Sequence, residues 1–249
     1  MKVVTVYFRE IPQPGREHHD VDAAMLDAWV YFYAQSGTTA PACLLTDAHT
    51  QVPASWPYEV MRLHDTSPPY RRDVLNKVGW IKAQAFARLG HCLIMDLDAL
   101  PLQNLDRLAE VQAEIAMAPD AGHTWEDAGK HGWAVDEGFG AVGPKHNAGV
   151  MILRSPRIWP LFRAAWDRYW SDYKATFLDE LIFSSLRCKL QGATLPQDYN
   201  VEAEETPAGW RQQLDARVLH FRSGRKQHLA EFHAWARRHE EHGLRMVKP

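Results

Sequence analysis

Two aspartates separated by one residue, Asp96 and Asp98, come directly after the apolar run 91–95. This run is too short for a helix and is typical of a central strand in a parallel sheet. Because open α/β sheets bind ligands beyond the carboxyl ends of their strands, both carboxylates are expected at that edge. Oxygen ligands of this kind favour Mg²⁺ or Mn²⁺, which completes its shell with water and substrate phosphates. The pair therefore predicts a metal-bound diphosphate site. The simpler alternative is two aspartates that only cap the turn before Pro101.

The surrounding sequence predicts alternating strands and helices that would hold this pair at one edge of a sheet. Apolar residues recur with helical spacing in 20–36 and 73–89, and each segment is followed by a glycine, Gly37 or Gly90, that suits a left-handed cap. The pattern indicates one α/β domain. We expect strands at 3–8, 42–46, 58–63, 91–95, 113–118, 148–153 and 218–221, and further helices after residue 155, at 177–190 and at 229–240.

The composition excludes several functional classes. The 249 residues carry a net charge of -3, so no broad basic field favours nucleic acid. The three cysteines, Cys43, Cys92 and Cys188, lack a Cys-x-x-Cys spacing, which argues against a structural zinc site or a disulfide framework and suits a reducing cytoplasm. Arg9 and Glu10 come too early for a signal peptide, and no run of about 18 apolar residues occurs. We expect a cytoplasmic protein without a transmembrane segment, and a peripheral association with a membrane stays open.

Four segments, in order, resemble the glycogenin and lipopolysaccharide-galactosyltransferase group of retaining glycosyltransferases, which share the GT-A fold. These segments include the Asp-x-Asp strand, an Asn-Ala-Gly-Val stretch, an Asp-Glu pair at a helix start, and a His-Phe stretch with a glycine and a lysine after it. They are residues 82–86 with 93–100, residues 146–151, residues 178–180, and residues 195–200 with 220–226.

The resemblance implies a single GT-A domain with a mixed, Rossmann-like sheet and helices on both faces. Within 1–249 it implies a nucleotide-binding half at 1–118, an acceptor and sugar half at 119–226, and a C-terminal helix at 227–249. The implied reaction moves a sugar from a nucleotide-diphosphate sugar, such as a UDP-sugar, to an acceptor hydroxyl with retention of the anomeric configuration. The implied acceptor is a glycan, a lipid-linked glycan or a protein.

The resemblance assigns Asp96, Asp98 and His220 to Mn²⁺ or Mg²⁺, and Lys226 to the phosphate. These roles also have a physical basis. A neutral imidazole at a strand end can join two carboxylates on such an ion, Gly224 lets the backbone approach a phosphate, and Lys226 balances the phosphate charge. A single histidine is more often a surface or hydrogen-bonded residue, so the assignment of His220 depends on the other segments.

The sugar side of the site is assigned to Asn147, Asp179 and Glu180, which the resemblance makes the catalytic residues. Asn147 would face the donor sugar. Glu180 stands where the family usually has glutamine, and a carboxylate there could act as a nucleophile or stabilise an oxocarbenium-like state. Acids in a first helical turn are also favoured by the helix dipole alone. A second departure is at 227–228, where Gln-His replaces the usual Pro-Trp.

Further contacts with the nucleotide diphosphate are expected near the first strands. Lys82, on the helix before the acidic strand, is predicted to reach the diphosphate, and Lys77 on the same helix is the alternative. Tyr7, at the end of the first strand, is a candidate contact for the nucleotide base, with core packing as the alternative. Asp47, at the end of the second strand, is a similar candidate.

The stretch 119–146 is rich in Gly, Asp, His and Trp, and a loop of this length is usually functional or mobile. Its aromatic and histidine side chains are candidates for an acceptor-sugar subsite, because sugars stack their apolar faces on aromatic rings. Alternatively, they only pin the loop to the core. The candidates are His123, Trp125, His131 and Trp133.

Two other classes also fit an Asp-x-Asp strand. Phosphohydrolases of the haloacid-dehalogenase type present a nucleophile, a general acid and Mg²⁺ in this way. Their acidic strand typically opens the domain, whereas about 95 residues come before Asp96 here. The other class is a non-catalytic protein that binds a nucleotide sugar or a glycan, which the departures at Glu180 and 227–228 keep open. The four matching segments favour the transferase.

Overall fold

The computed structural model describes residues 1–8, 19–64, 74–124, 144–169 and 178–241. Ten strands form two sheets within these residues. A seven-stranded sheet has the order β3-β2-β1-β4-β7-β6-β8, and a three-stranded sheet has the order β5-β10-β9. The strands are β1 (Lys2–Val6), β2 (Ala42–Asp47), β3 (Glu59–Leu63), β4 (Cys92–Met95), β5 (Ala99–Pro101), β6 (Ile115–Thr124), β7 (Pro144–Leu153), β8 (Gly192–Thr194), β9 (Val201–Glu202) and β10 (Val218–His220).

Six α-helices and three short 3-10 helices accompany these strands in the described residues. The first two α-helices end at glycines with positive φ, Gly37 at 68° and Gly90 at 72°, as the sequence predicts. The α-helices are α1 (His19–Gln35), α2 (Val74–Leu89), α3 (Ile158–Tyr169), α4 (Leu178–Lys189), α5 (Pro207–Gln212) and α6 (Leu229–Glu241). The 3-10 helices are Asp106–Glu110, Gln197–Tyr199 and Ser223–His228.

The acidic pair follows the strand at the centre of the large sheet. β4 is fully buried, and it pairs in parallel with β1 and antiparallel with β7. A strand covered on both faces must be apolar along its whole length, which explains the unbroken Cys-Leu-Ile-Met sequence. A polar side chain can therefore occur only beyond the carboxyl end of β4, and Asp96 is the first residue there.

Helices cover both faces of the large sheet and bury two apolar cores. Helices α1 and α6 pack on one face, and α2, α3 and α4 pack on the other. Aromatic side chains supply much of the buried apolar surface on each side. The largest are Trp29, Phe32, Trp210 and Phe232 in the first core, and Trp80, Phe162, Trp166 and Phe183 in the second.

The small sheet brings a late segment of the chain back to the acidic pair. β5 pairs antiparallel with β10, with Ala99 opposite His220. The N–H of Phe221 donates to the carbonyl of Asp98 at 2.8 Å. These backbone bonds place the side chain of His220 beside the turn that carries both aspartates.

The α/β fold class, with a mixed sheet and helices on both faces, is confirmed. The predicted strands and helices are all present, with ends shifted by a few residues and with 113–118 and 148–153 extended into the paired strands β6 and β7. The sequence prediction missed the shortest elements: β5, β8, β9, α5 and the 3-10 helices. Strands of two or three residues and helices of six or fewer are too short to show a periodicity. Among the helices that the structure describes, none has the length and apolar character that a membrane crossing requires.

Candidate functional site

Asp96, Asp98 and His220 converge at the carboxyl end of β4. One potential ligand atom from each of the three lies within 4.8 Å of the other two. His220 Nε2 is 3.2 Å from Asp98 Oδ1 and 4.0 Å from Asp96 Oδ2. Asp98 is 5% exposed and His220 is 2% exposed, whereas Asp96 is partly exposed. The predicted metal ligands therefore form a cluster that is open on one side.

The hydrogen bond on the far side of His220 fixes which ring nitrogen faces this cluster. His220 Nδ1 lies 2.8 Å from Asn200 Oδ1, and Asn200 Nδ2 donates to the carbonyl of Pro119 at 3.1 Å. Because a carbonyl only accepts, the Asn200 amide nitrogen must face Pro119, and its oxygen must accept from Nδ1–H. A neutral His220 then presents the Nε2 lone pair to the aspartates, the orientation that a metal ligand needs.

Two lysines contact the oxygens of the aspartates that point away from the histidine. Lys82 Nζ lies 2.5 Å from Asp96 Oδ1 and donates to the carbonyl of Ala148 at 3.0 Å. Lys226 Nζ lies 2.9 Å from Asp98 Oδ2. One oxygen of each carboxylate thus pairs with a lysine, while the other lies on the side of the histidine.

This arrangement keeps the buried groups charged. Burial alone raises the pKa of Asp98, but the positive charges of Lys226 and of His220 in its protonated form outweigh burial and hold the pKa of Asp98 well below its usual value. Burial alone lowers the pKa of Lys82, yet the carboxylates of Asp96, Asp179 and Asp98 outweigh it and hold that pKa above its usual value. Two carboxylates, a neutral imidazole and a gap between them suit a hard divalent cation, so the residues present fit Mn²⁺ or Mg²⁺.

Gly149 provides the space in which this cluster is assembled. A Cβ atom at this position would overlap His220 Cε1 and Asn147 Oδ1, and it would lie 3.0 Å from Asp96 Oδ2. The backbone of Gly149 also bonds to both neighbours, since its carbonyl accepts from the Asp96 N–H at 2.8 Å and its N–H donates to Asn147 Oδ1 at 2.7 Å. Only glycine fits between the metal cluster and Asn147.

Asn147 and Glu180 are in contact on the other side of Gly149. Asn147 Nδ2 donates to Glu180 Oε1 at 2.9 Å. Lys145, two residues earlier on β7, lies 3.1 Å from Glu180 Oε2. Burial raises the pKa of Glu180, and Lys145 opposes that rise. The structure therefore brings together Asn147 and Glu180, as the sequence predicts, and adds a cation that the sequence analysis did not identify.

The same lysine begins a row of alternating charges across the site. Lys145 Nζ also lies 3.1 Å from Asp120 Oδ2, and Asp120 Oδ1 accepts from Arg222 Nη1. Arg222 Nη2 in turn lies 3.2 Å from Glu202 Oε2. Asp120 is buried between these two cations. Because Arg222 follows His220 by two residues, the row links Glu180 to the loop that carries Lys226.

Asp179 occupies the first turn of α4, next to helix α2. A Cβ at Gly79 would overlap the Asp179 side chain, so α2 and α4 approach closely here only because residue 79 is glycine. Burial raises the pKa of Asp179 to about 7; Lys82 opposes this rise and the Glu180 carboxylate adds to it. Asp179 thus lies near both the metal cluster and Glu180, in an environment that favours its neutral form.

The remaining predicted contacts with the nucleotide diphosphate are Tyr7, Asp47 and Gly224. Tyr7 follows β1, next to β4 in the sheet, and its side chain is buried in the core. Asp47 accepts from the N–H groups of His49 and Thr50 at 3.0 and 2.7 Å, which is a turn-stabilising role. Gly224 lies in the 3-10 helix with Lys226, and in the described part of the chain a Cβ built there meets no heavy atom within 4 Å beyond its chain neighbours.

Some sequence candidates lie outside the described residues. They are Trp125, His131 and Trp133, and the side chains of Lys77 and His123. In the other direction, the sequence analysis missed four polar residues of the site: Asn200, Lys145, Asp120 and Arg222. Asp120 and Lys145 lie close in sequence to the residues that were recognised, on strands that end at the same edge, and this is the signal that could have found them.

Comparisons with known proteins identify the fold. No protein-family model matches the chain, and no curated sequence matches it. The galactosyltransferase LgtC, in complex with donor and acceptor sugar analogues, superimposes with a TM-score of 0.63 at 13% identity, over 93% of this chain and 96% of that chain. A glutamine-to-glutamate active-site mutant of LgtC gives a TM-score of 0.61 at 12% identity, over 94% and 95% of the two chains.

Two larger glycosyltransferases contain the same fold. Apo GlyE from Streptococcus pneumoniae gives a TM-score of 0.56 at 14% identity, over 90% of this chain and 54% of that chain. The bifunctional glycosyltransferase WbbM gives 0.58 at 14% identity, over 89% and 45%. The chain therefore has the GT-A fold that the sequence resemblance implies.

Proposed function

We propose that this chain is a metal-dependent glycosyltransferase that moves a sugar from a nucleotide-diphosphate sugar to an acceptor hydroxyl, with retention of the anomeric configuration. One observation carries the proposal: Asp96, Asp98 and His220 converge with Lys226 at the end of the central strand of a GT-A fold. Oxygen and nitrogen ligands with a neighbouring ammonium group form a site for a metal-bound diphosphate.

The donor diphosphate would bind at this cluster. Asp96, Asp98 and His220 would hold Mn²⁺ or Mg²⁺, which supplies Lewis-acid neutralisation of the leaving diphosphate. The side chain of Lys226 is 43% exposed and can turn from Asp98 toward a phosphate, where it adds positive charge. Lys82 pairs with Asp96 from the buried side. Gly224 would let the backbone of the same loop approach the diphosphate, and Tyr7 would lie on the nucleotide side.

The transferred sugar would lie between the metal cluster and the start of α4. Asn147 links the two regions, because its oxygen accepts from Gly149 and its amide group donates to Glu180. Asp179 and Glu180 would border the anomeric carbon and stabilise the positive charge that develops there. The donor would be a nucleotide sugar such as a UDP-sugar, and the acceptor a glycan, a lipid-linked glycan or a protein. The LgtC complex with donor and acceptor sugar analogues supports this substrate class.

Thermal unfolding with nucleotides tests the binding step. UDP and GDP are each added to the wild-type protein with Mn²⁺ and, separately, with EDTA. We expect one nucleotide to raise Tm with Mn²⁺ only, because the ligand stabilises the folded state by mass action through the metal. Asp98→Asn should lose this rise. Asp167→Asn, at an exposed position on α3, is the charge-matched control and should keep it. Equal stabilisation with and without metal would contradict the proposal.

Release of nucleoside diphosphate from UDP-glucose, UDP-galactose, UDP-N-acetylglucosamine and GDP-mannose tests the chemical step. Loss of several kcal/mol of charge stabilisation in Asp98→Asn should lower the rate by about 100-fold or more. Metal-dependent binding without release from any of these donors would instead identify a non-catalytic nucleotide-sugar-binding protein.

A further inference from the structure

Glu180 is a buried carboxylate with both oxygens engaged. It is 5% exposed, its Oε1 accepts from Asn147 Nδ2 at 2.9 Å, and its Oε2 lies 3.1 Å from Lys145 Nζ. In the described part of the chain, Lys145 is the cation that forms an ion pair with Glu180. A buried carboxylate that loses its counter-charge takes up a proton or moves toward water. The position of the Glu180 carboxylate against Asn147 therefore depends on Lys145.

The neighbouring charges each have a second partner. Lys145 pairs with Asp120 as well as with Glu180, and Asp120 pairs with Arg222 as well as with Lys145. Removing the charge of Glu180 thus leaves every remaining charge paired. Removing Lys145 leaves Glu180 without an ion pair and places two buried carboxylates near each other. We therefore expect removal of Lys145 to lower kcat much more than removal of the charge of Glu180.

We propose that Lys145 is a positioning residue that compensates the charge of Glu180 and holds its carboxylate against Asn147 at the transferred sugar. This inference rests on the proposed function, which places the sugar beside Asn147 and Glu180. Lys145 acts through Glu180, and its ion pairs with Glu180 and Asp120 lie on the side of Asn147. Its removal should impair the chemical step and leave binding of the nucleotide diphosphate intact.

A double-mutant cycle tests this role. Release of nucleoside diphosphate is measured with the fastest of the four donors named above, for wild type, Lys145→Met, Glu180→Gln and the double variant. We expect Lys145→Met to lower kcat by about 100-fold, the typical effect of a misplaced active-site group. Glu180→Gln should lower kcat by less than about tenfold, because the amide oxygen can still accept from Asn147 or from Lys145 and no buried carboxylate is left without a counter-charge. The double variant should recover at least about tenfold over Lys145→Met.

Two further readouts separate positioning from a merely structural effect. The Mn²⁺-dependent rise of Tm with UDP or GDP should be the same in Lys145→Met as in the wild type, and KM for the donor should change little. Lys145→Arg, which keeps the cation, should keep most of the kcat. If Lys145→Met does not fold, the two other variants test the role of Lys145. The double variant should have a kcat near that of Glu180→Gln, and Lys145→Arg should have a kcat near that of the wild type.

The outcomes distinguish the two proposals. Additive effects of the two substitutions on kcat, or a loss of kcat in the double variant as large as in Lys145→Met, would overturn the role of Lys145 while leaving the transferase intact. Lost metal-dependent nucleotide binding in Lys145→Met would also overturn it. A wild-type protein that releases nothing from any donor would overturn the proposed function and, with it, this role.

Discussion

His220, the histidine of the candidate metal cluster, is oriented by a residue outside the proposed ligands. Asn200 accepts from His220 Nδ1 at 2.8 Å, and its own orientation is set by the carbonyl of Pro119. The imidazole is therefore held in the tautomer that presents Nε2 to Asp96 and Asp98. Partners of this kind are usually almost as important for metal affinity as the ligands they orient.

Asn200→Ala should weaken metal binding without unfolding the protein. Losing the acceptor frees His220 to rotate and to change tautomer, and the typical cost is about 10-fold to 100-fold in metal affinity. Titration of the protein with Mn²⁺ in a calorimeter measures this change. Asn104→Ala is the matched control, because Asn104 bonds to Gly37 and Asp106 away from the metal cluster. Equal Mn²⁺ affinity in wild type and Asn200→Ala would show that the tautomer of His220 is set by something else.

A single carboxylate, that of Asp106, joins two segments of the chain away from the site. Asp106, in the 3-10 helix Asp106–Glu110, accepts from the N–H groups of Thr39 and Ala40 at 3.0 Å. It also accepts from the Thr39 hydroxyl at 2.8 Å and from Asn104 Nδ2 at 3.2 Å. These bonds join the connection between α1 and β2 to the segment after β5. Although burial raises the pKa of Asp106, the hydrogen bonds outweigh it and lower that pKa below its usual value.

Asp106→Asn should lower the free energy of unfolding at pH 7 by about 1–2 kcal/mol, because an amide replaces a carboxylate that accepts several hydrogen bonds. A group with a lowered pKa in the folded state stabilises the protein above its unfolded pKa, and this contribution is lost as the pH falls through the folded pKa. The difference between wild type and variant should therefore shrink below about pH 4. Urea unfolding at a series of pH values measures it, with Asp167→Asn as the control for charge alone. A difference that is the same at pH 3 and pH 7 would refute this account.

The close contact between helices α2 and α4 depends on a glycine in α2. Glycine within a helix costs about 1 kcal/mol relative to alanine. Gly79 nevertheless lies in α2, where a Cβ would overlap the side chain of Asp179. The close approach brings the start of α4 beside Lys82, whose charge acts on Asp179. The glycine in α2 lowers local helix stability, but it allows Asp179 to lie beside Lys82 in the second acidic region of the site.

The candidate metal cluster combines residues from both sheets of the molecule. Asp96 and Asp98 follow the central strand of the large sheet, whereas His220 belongs to β10 of the small sheet. A metal ion bound by all three would therefore link the first part of the chain to the segment 218–228. Binding of this kind stabilises only those openings that break the site.

Mn²⁺ should slow amide hydrogen exchange most in β10 and in the 3-10 helix Ser223–His228. At about 100 times the Kd, bound metal adds about 2.7 kcal/mol, so exchange through openings that break the site should slow by up to about 100-fold. Peptides from β3, at the far edge of the large sheet, should change little. Mass spectrometry of exchanged peptides measures the pattern, and Asp98→Asn should show no metal-dependent protection. Uniform protection of all peptides would mean that the ion does not bind between the two sheets.

Much of this molecule follows from local features of the amino-acid sequence. The apolar run before Asp96 required a buried central strand, and glycines 37 and 90 marked the ends of two helices. Asp96 and Asp98 were predicted as metal ligands from their types and spacing, and His220 from the family resemblance, and the structure brings the three together. These features are short-range: side-chain alternation, helical periodicity and cap geometry depend on neighbours within a few residues.

The tertiary structure alone determined how those groups are paired. Nothing in the spacing of Lys145 and Glu180 shows that they form an ion pair, or that Asn200 sets the tautomer of His220. The elements that carry them are joined by long connections, and the partners meet only when the strands and helices pack. Burial then makes each pairing obligatory, because a charge or polar group removed from water must find its partner inside the protein.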